Sequence, residues 1–264
     1  NGTASISGAT LTYEANQDYN GTETITYKAN DGTVDSNTST ITITITPVND
    51  TPVVTGGDPF AANTYSGLFD GSSSYANTGS SFNIATEPAM TVQAWVKPST
   101  SNQDSGATMV AKGDDTNWTY RQFDFSMKDD NGDGSYIYRA SMSTNNGYSI
   151  DTTSEAVVNE WAHLVATYDG STFKLYKNGI LEGSESVSGV INGGVSINEN
   201  FTIGDLMTDK SQYGFTGYVD EVAVWTTALT ASEVENLYNY GEAKSAATYS
   251  NDLYAYYNFE DGSG

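Results

Sequence analysis

The run Asp129-x-Asn131-x-Asp133-Gly134 sets carboxylate and amide oxygens at alternate positions and closes on glycine. Oxygens so spaced can converge on one hard divalent cation, calcium above all, and the glycine permits the sharp turn. An EF-hand loop carries Glu at its twelfth position, where this chain has Ala140, so an EF-hand is excluded. Two readings stay open: a shorter calcium loop completed by backbone oxygens, or a plain hairpin turn, which Asp, Asn and Gly favour on their own. A second acidic feature is the adjacent pair Asp220-Glu221, set among the apolar residues of Phe215–Trp225. Neighbours in a strand face opposite sides, so one carboxylate is expected inside or at a rim and the other in solvent. His163 alternates with Trp161 and Val165 and reads as a buried structural histidine. The chain has no second histidine or cysteine for a zinc site and no elbow serine for a triad. It also lacks a Glu-x-Asp-x-Glu run, which would put paired carboxylates on one strand face for glycoside hydrolysis. The expectation is a binding protein, not an enzyme.

Sugars are held by aromatic platforms together with carboxylates, amides and calcium. The loop 113–121 offers Asp114, Asp115, Asn117, Trp118, Tyr120 and Arg121, and the loop 207–213 offers Asp209, Lys210 and Tyr213. Trp118 stands in a polar loop, whereas Trp95, Trp161 and Trp225 stand in apolar strands. A core position at a strand start is the alternative for Trp118.

With 33 Asp and Glu against 10 Lys and Arg, the net charge is −23. That field opposes nucleic acid and anionic membrane surfaces. No apolar run approaches the roughly 18 residues of a membrane span, so no insertion is expected. Cysteine is absent, which removes disulfides and thiolate metal sites and leaves calcium as the natural stiffener of loops. No signal peptide is visible, and Asn1 reads as an internal cut from a longer chain. Abundant Thr, Ser, Asn, Gly and Tyr suit an extracellular or cell-surface all-β protein.

The length of 264 residues accommodates two units. Thr38–Thr46 alternates strictly, with Ile41, Ile43 and Ile45 on one face, and Thr22–Tyr27 alternates as well. Asn30-Asp31-Gly32 supplies a turn between them, and Leu11 and Tyr13 mark a further strand. About four strands are too few for a closed sandwich. Together with Asp18–Thr22 and Pro47-Val48-Asn49-Asp50-Thr51-Pro52, these pieces resemble the bacterial cadherin-like tandem repeats of large surface adhesins. That resemblance implies an inter-module calcium site at Asn49 and Asp50, with a stiff proline-bounded linker as the alternative. Pro52, Gly56, Gly57 and Pro59 mark the boundary, giving a partial Ig/cadherin-like module at 1–54 and a second domain at 55–264.

In that second domain Leu68-Phe69-Asp70-Gly71 is followed by the strand Met90–Pro98 and by Trp161–Asp169. The latter turns at Asp169-Gly170, returns through Phe173–Lys177 and turns again at Asn178-Gly179. With Phe215–Trp225, these segments resemble the laminin-G-like/pentraxin (concanavalin-A-like) family over about 65–240. The resemblance implies an antiparallel β-sandwich, a jelly roll of two face-to-face sheets. It also implies a structural calcium supported by Asp220 and Asp70. Thr230 and Glu233 form a capping box for a short helix at 231–239. The terminal Leu253–Gly264 segment, a first strand in such families, here either closes the jelly roll or begins another copy. The function expected is a calcium-dependent module of a bacterial surface adhesin, a monomeric part of a longer chain that recognises a glycan or other cell-surface ligand. A protein-binding spacer and a non-catalytic appendage of a polysaccharide-degrading enzyme are the alternatives.

Overall fold

The computed structural model describes residues 1–264 apart from 9, 17–20, 46–65, 73, 79–82, 114–120, 130–131, 145, 192–200, 207–212 and 260–264. The chain divides into two compact units, Asn1–Val53 and Val54–Gly264.

In the first unit β1 (Gly2–Ser7) pairs with β2 (Thr10–Ala15), and β3 (Gly21–Tyr27) pairs with β4 (Ser39–Ile45). The Ile/Thr alternation of β4 puts the isoleucines on the half-buried side and the threonines in solvent, with Ile41 opposite Ile25. Asn30-Asp31-Gly32 does lie between β3 and β4, in a longer connection than a two-residue turn. Asp31 Oδ1 accepts the Thr33 and Val34 N–H groups, each at 2.9 Å, which pulls its carboxyl below the usual range. None of the described residues of this unit is fully buried. The alternation yields strands, and two hairpins alone supply no closed core.

The second unit is a sandwich of two antiparallel sheets. Its strands are β5 (Gly67–Asp70), β6 (Ala76–Asn77), β7 (Met90–Pro98), β8 (Thr108–Lys112), β9 (Phe123–Asp129), β10 (Tyr136–Ser143), β11 (Gly147–Glu155), β12 (Ala162–Tyr168), β13 (Thr172–Lys177), β14 (Ile180–Ser186), β15 (Phe201–Ile203), β16 (Thr216–Trp225) and β17 (Leu253–Tyr257). The front sheet has the order β11-β10-β9-β8-β15-β6, and the back sheet runs β14-β13-β12-β7-β16-β17, with β5 also on β16. Inward residues of both sheets form one core, among them Val92, Val96, Leu164, Val222 and Val224 from the back and Phe123, Phe125, Tyr138 and Phe201 from the front.

Local chemistry fixes the β12–β13–β14 meander. The first turn uses Gly170 at φ +90°, and the second uses Asn178 and Gly179 at φ +53° and +77°, the pair of positive angles a tight hairpin needs. Strand β5 pairs with Thr216–Val219 of β16, and β17 pairs with Val222–Trp225 along the same flank. The C-terminal strand therefore closes this jelly roll, the first of the two roles the sequence leaves open for it.

The helix α1 (Ala231–Tyr238) begins at the predicted capping box. Thr230 Oγ1 accepts from Glu233 N at 3.3 Å, and Glu233 Oε2 accepts from Thr230 N at 2.7 Å. Its Val234 and Leu237 pack with Val165, Tyr176, Ala223 and Trp225, the outward residues of the back sheet, in a second buried cluster. Over these positions that sheet is thus covered on both faces.

Candidate ligand-binding face

The front sheet carries no such cover from the helix, and most of its outward side chains are polar. In β9 the residues Phe123, Phe125 and Met127 point into the core, which turns Asp124, Ser126 and Lys128 outward. Cross-strand register extends this into rows. Asp124 stands opposite Ser141 and Ala111, and Ser141 stands opposite Ser149. In the next row Ser126 stands opposite Arg139 and Thr108, and Arg139 stands opposite Asp151.

Two ionic clusters hold this surface in shape. Arg121 Nη1 donates to Asp124 Oδ2 at 2.9 Å, while Ser126 Oγ and Ser141 Oγ donate to Asp124 Oδ1 at 3.1 and 3.3 Å. Arg139 grips Asp151 with two bonds, Nε to Oδ1 at 2.7 Å and Nη2 to Oδ2 at 3.1 Å, and Lys128 Nζ donates to the same carboxylate at 2.9 Å. Partial burial pushes the Asp151 carboxyl up, but hydrogen bonds and charge from Arg139 and Lys128 outweigh it and hold it below the ordinary carboxylate range. Asp124 is fully buried, whereas the Lys128, Arg139 and Asp151 side chains stay 30, 23 and 28% exposed. Both arginines of the chain belong to these clusters. The result is a partly exposed group of fixed donors and acceptors, Lys128, Arg139 and Asp151, beside buried Ser126, Ser141 and Thr108. Such a group can meet the hydroxyl groups of a sugar.

The expected calcium loop lies at the tip of the β9–β10 hairpin, and its Asn131 falls outside the described residues. Asp129 Oδ1 accepts from Gly132 N at 2.6 Å, and Asp133 Oδ1 accepts from Ser135 N and Oγ at 2.9 and 2.6 Å. Those hydrogen bonds lower the Asp133 pKa. Asp133 also lines a cleft of about 380 Å³ with Thr100, Ser135, Tyr136 and Glu155. Among the described residues no three acidic or histidine side chains are grouped to hold a metal.

The pair Asp220-Glu221 departs from the expected alternation. Both residues are buried, because β16 bulges here and Glu221 takes φ +49° in the left-handed region. Asp220 Oδ1 accepts from Glu221 N at 2.7 Å, and the Tyr256 hydroxyl reaches the two Glu221 carboxylate oxygens at 2.8 and 2.6 Å. Asp70 is not brought beside Asp220. It stands opposite Thr216, four residues away along β16, or about 13 Å at roughly 3.3 Å per residue. Its Oδ1 accepts from Ser72 and Ser74 N, each at 2.9 Å.

Of the two loops expected to meet a sugar, the first contributes Arg121 to the front face. Tyr213 is half-buried near its edge, its carbonyl accepting from Thr108 N at 2.7 Å. Asp114, Asp115, Asn117, Trp118, Tyr120 and Asp209 lie outside the described residues, as do Asn49 and Asp50. His163 is buried as expected, its Nε2 at 3.2 Å from Gln93 Oε1. The sequence reading missed Asp124, Ser126, Lys128, Arg139, Ser141 and Asp151. For the five on β9 and β10 the signal was the strict apolar/polar alternation of Phe123–Lys128 and of Tyr138–Ser143; Asp151 is found only through its register opposite Arg139.

Comparison with known proteins agrees with this architecture. A model of the concanavalin A-like lectin/glucanases superfamily matches residues 70–235, and one of a bacterial Ig domain matches 1–44. Mouse pappalysin-1 is 26% identical over 155 residues, which is 55% of this chain and 9% of that protein, so the chain spans under a tenth of that relative's length. Among solved structures, a Bacteroides ovatus protein provisionally described as carbohydrate-binding superposes with a TM-score of 0.56 at 18% identity, over 74% of this chain and 51% of that one. The CBM40 of Ruminococcus gnavus IT-sialidase, bound to α2,3-sialyllactose, gives a TM-score of 0.50 at 14% identity, over 66% of this chain and 96% of that one. At these identities the likeness to both structures is one of fold.

Proposed function

The chain belongs to the concanavalin A-like lectin/glucanase superfamily, and on that premise we propose that its jelly roll is a non-catalytic module that binds carbohydrate through the front sheet. One observation carries this reading. α1 covers Val165, Ala223 and Trp225 of the back sheet, while the front sheet offers partly exposed Arg139, Lys128 and Asp151, fixed by hydrogen bonds, with exposed Ser149 in the neighbouring row. Prealigned donors lose little entropy on binding, and planar, bidentate polar recognition is what arginine supplies best. Solved relatives of the same fold, one with a bound sialylated sugar, support it.

The finer reading is a calcium-dependent module of a bacterial surface adhesin. It rests on the bacterial Ig domain in front, the acidic composition and the Asp129–Asp133 spacing. Calcium at the β9–β10 tip would draw on those two carboxylates and complete its shell with backbone oxygens and water. An extracellular setting suits this arrangement.

A glycan array probed with the whole chain, with calcium and with chelator, tests the proposal. Binding is expected for the wild type, and Arg139→Ala is expected to weaken it about tenfold, or about 1.4 kcal/mol, with little change in Tm. Absence of any glycan binding at millimolar protein in calcium would sink it. A large chelator effect on Tm without glycan binding would instead identify a spacer module.

A further inference from the structure

On the back sheet, two residues past Trp95 and on the same face of β7, stands Lys97. Tyr238, the last residue of α1, stacks on Trp95 with centroids 5.9 Å apart, so Lys97 lies just beyond the helix. Its Nζ sits 4.9 Å from the centre of the Trp161 ring and 4.5 Å from that of Tyr218. The two rings are 6.3 Å apart and tilted by 57°. Register continues the row: Tyr218 stands opposite both Lys97 and Leu68, and Leu68 is 60% exposed. Lys97, Trp161 and Tyr218 are each half-buried.

Two rings hold the Lys97 ammonium where a carboxylate could have done so. Carboxylates outnumber cations by 33 to 10 in this chain, so possible partners for a lysine are plentiful. Lys128 has one with Asp151, and Lys28 has one with Asp35. Lys97 has none among the described residues, and its ammonium rests on aromatic faces alone. Ring quadrupoles attract a cation but leave its formal charge uncompensated. The four-carbon stem is flexible enough for the ammonium to leave the rings. Doing so would uncover two apolar, partly exposed faces next to an unpaired positive charge.

We propose that Trp161, Tyr218 and Lys97 form a second saccharide subsite, specific for a sugar that bears an anionic group. The C–H face of a pyranose lies on the aromatic rings. Its carboxylate or sulfate pairs with the Lys97 ammonium, and Leu68 extends the apolar floor. This subsite is on the sheet opposite the proposed front-sheet face and stands or falls without it.

Calorimetric titration of the whole chain tests the proposal, with oligogalacturonate, a sulfated neutral oligosaccharide and an uncharged oligosaccharide of equal length. At least one acidic ligand is expected to bind, and the two acidic arms distinguish carboxylate from sulfate. Lys97→Met, which keeps the stem and removes the charge, is expected to weaken that binding tenfold or more, and Lys97→Arg is expected to restore part of it. Tyr218→Ala is expected to weaken it as well, with the melting curve of each variant confirming that it is folded. Lys28→Met, in the first unit, is expected to leave it unchanged. Binding of neither acidic ligand to the wild type, or wild-type affinity for both in Lys97→Met, would overturn the proposal.

Discussion

The two sheets of the jelly roll share one pleat and one core, yet their outer faces have opposite fates. On the back sheet the outward positions include Val165, Ala223 and Trp225, and α1 lies over them. On the front sheet the equivalent positions are Asp124, Ser126, Arg139, Ser141 and Asp151, already tied to one another. Alternation builds the strand in both cases. The chemistry of the outward half decides whether a face becomes a second core or a surface for a partner. The back sheet also pays a polar cost at this interface, because His163, Gln93 and Glu221 are buried beneath the helix side of the sheet.

The strongest way to break this comparison is to remove the centre of the sealed face. Trp225 is fully buried, and its Nε1 donates to the Tyr249 carbonyl at 2.7 Å. Trp225→Ala should cost about 3–5 kcal/mol in urea unfolding, while the folded fraction keeps its front-sheet affinity. An unchanged urea midpoint would mean that α1 is not structural.

Acidification is the next largest lever. His163 Nδ1 is buried without a hydrogen bond, and burial lowers the imidazole pKa from 6.5 to about 3. The folded state therefore binds the proton more weakly than the unfolded chain. The contribution is whole above pH 6.5 and drains away as the pH falls from 6.5 towards about 3. The slope is about 1.4 kcal/mol per pH unit, or about 2 kcal/mol by pH 5. His163→Gln should flatten that part of the stability profile. If it leaves the slope between pH 6.5 and pH 5 unchanged, the buried imidazole is not the acid-sensitive group.

How much of this was legible in the sequence depended on how local the cause was. The turns at Asp169-Gly170 and Asn178-Gly179 and the Thr230/Glu233 cap are written in adjacent residues, and each appears where expected. Asp220-Glu221 was misjudged because the alternation rule assumes an unbroken strand. A non-glycine residue at φ +49° carries no sequence mark, and the bulge is held by β7 and by Tyr256 from a distant strand. The front face was readable in principle from the alternation of β9, but polar loops with aromatic residues drew the search elsewhere. Trp161 was read as an ordinary apolar-strand residue, because only the fold reveals that Lys97 and Tyr218 flank its ring. The Asp129–Asp133 run stays double-edged for a physical reason. The oxygens that could ligate a cation are the same type that close a turn, and one oxygen of each carboxylate does so here.

The smallest effect sharpens the comparison most, because it loosens the lid without emptying the core. Thr230→Ala removes the side chain that accepts from Glu233 N and donates to its carboxylate, and should cost about 1 kcal/mol. Fraying would begin at the N-terminal turn of α1, with Val234 next and Tyr238, stacked on Trp95, at the far end. Tm is expected to fall by a few degrees while oligosaccharide affinity at the front sheet holds. An affinity that fell in step with stability would mean that strain on the back of the sandwich reaches Arg139 and Asp151 through the shared core. The helix would then be a regulator of the binding face and not merely the seal on its opposite.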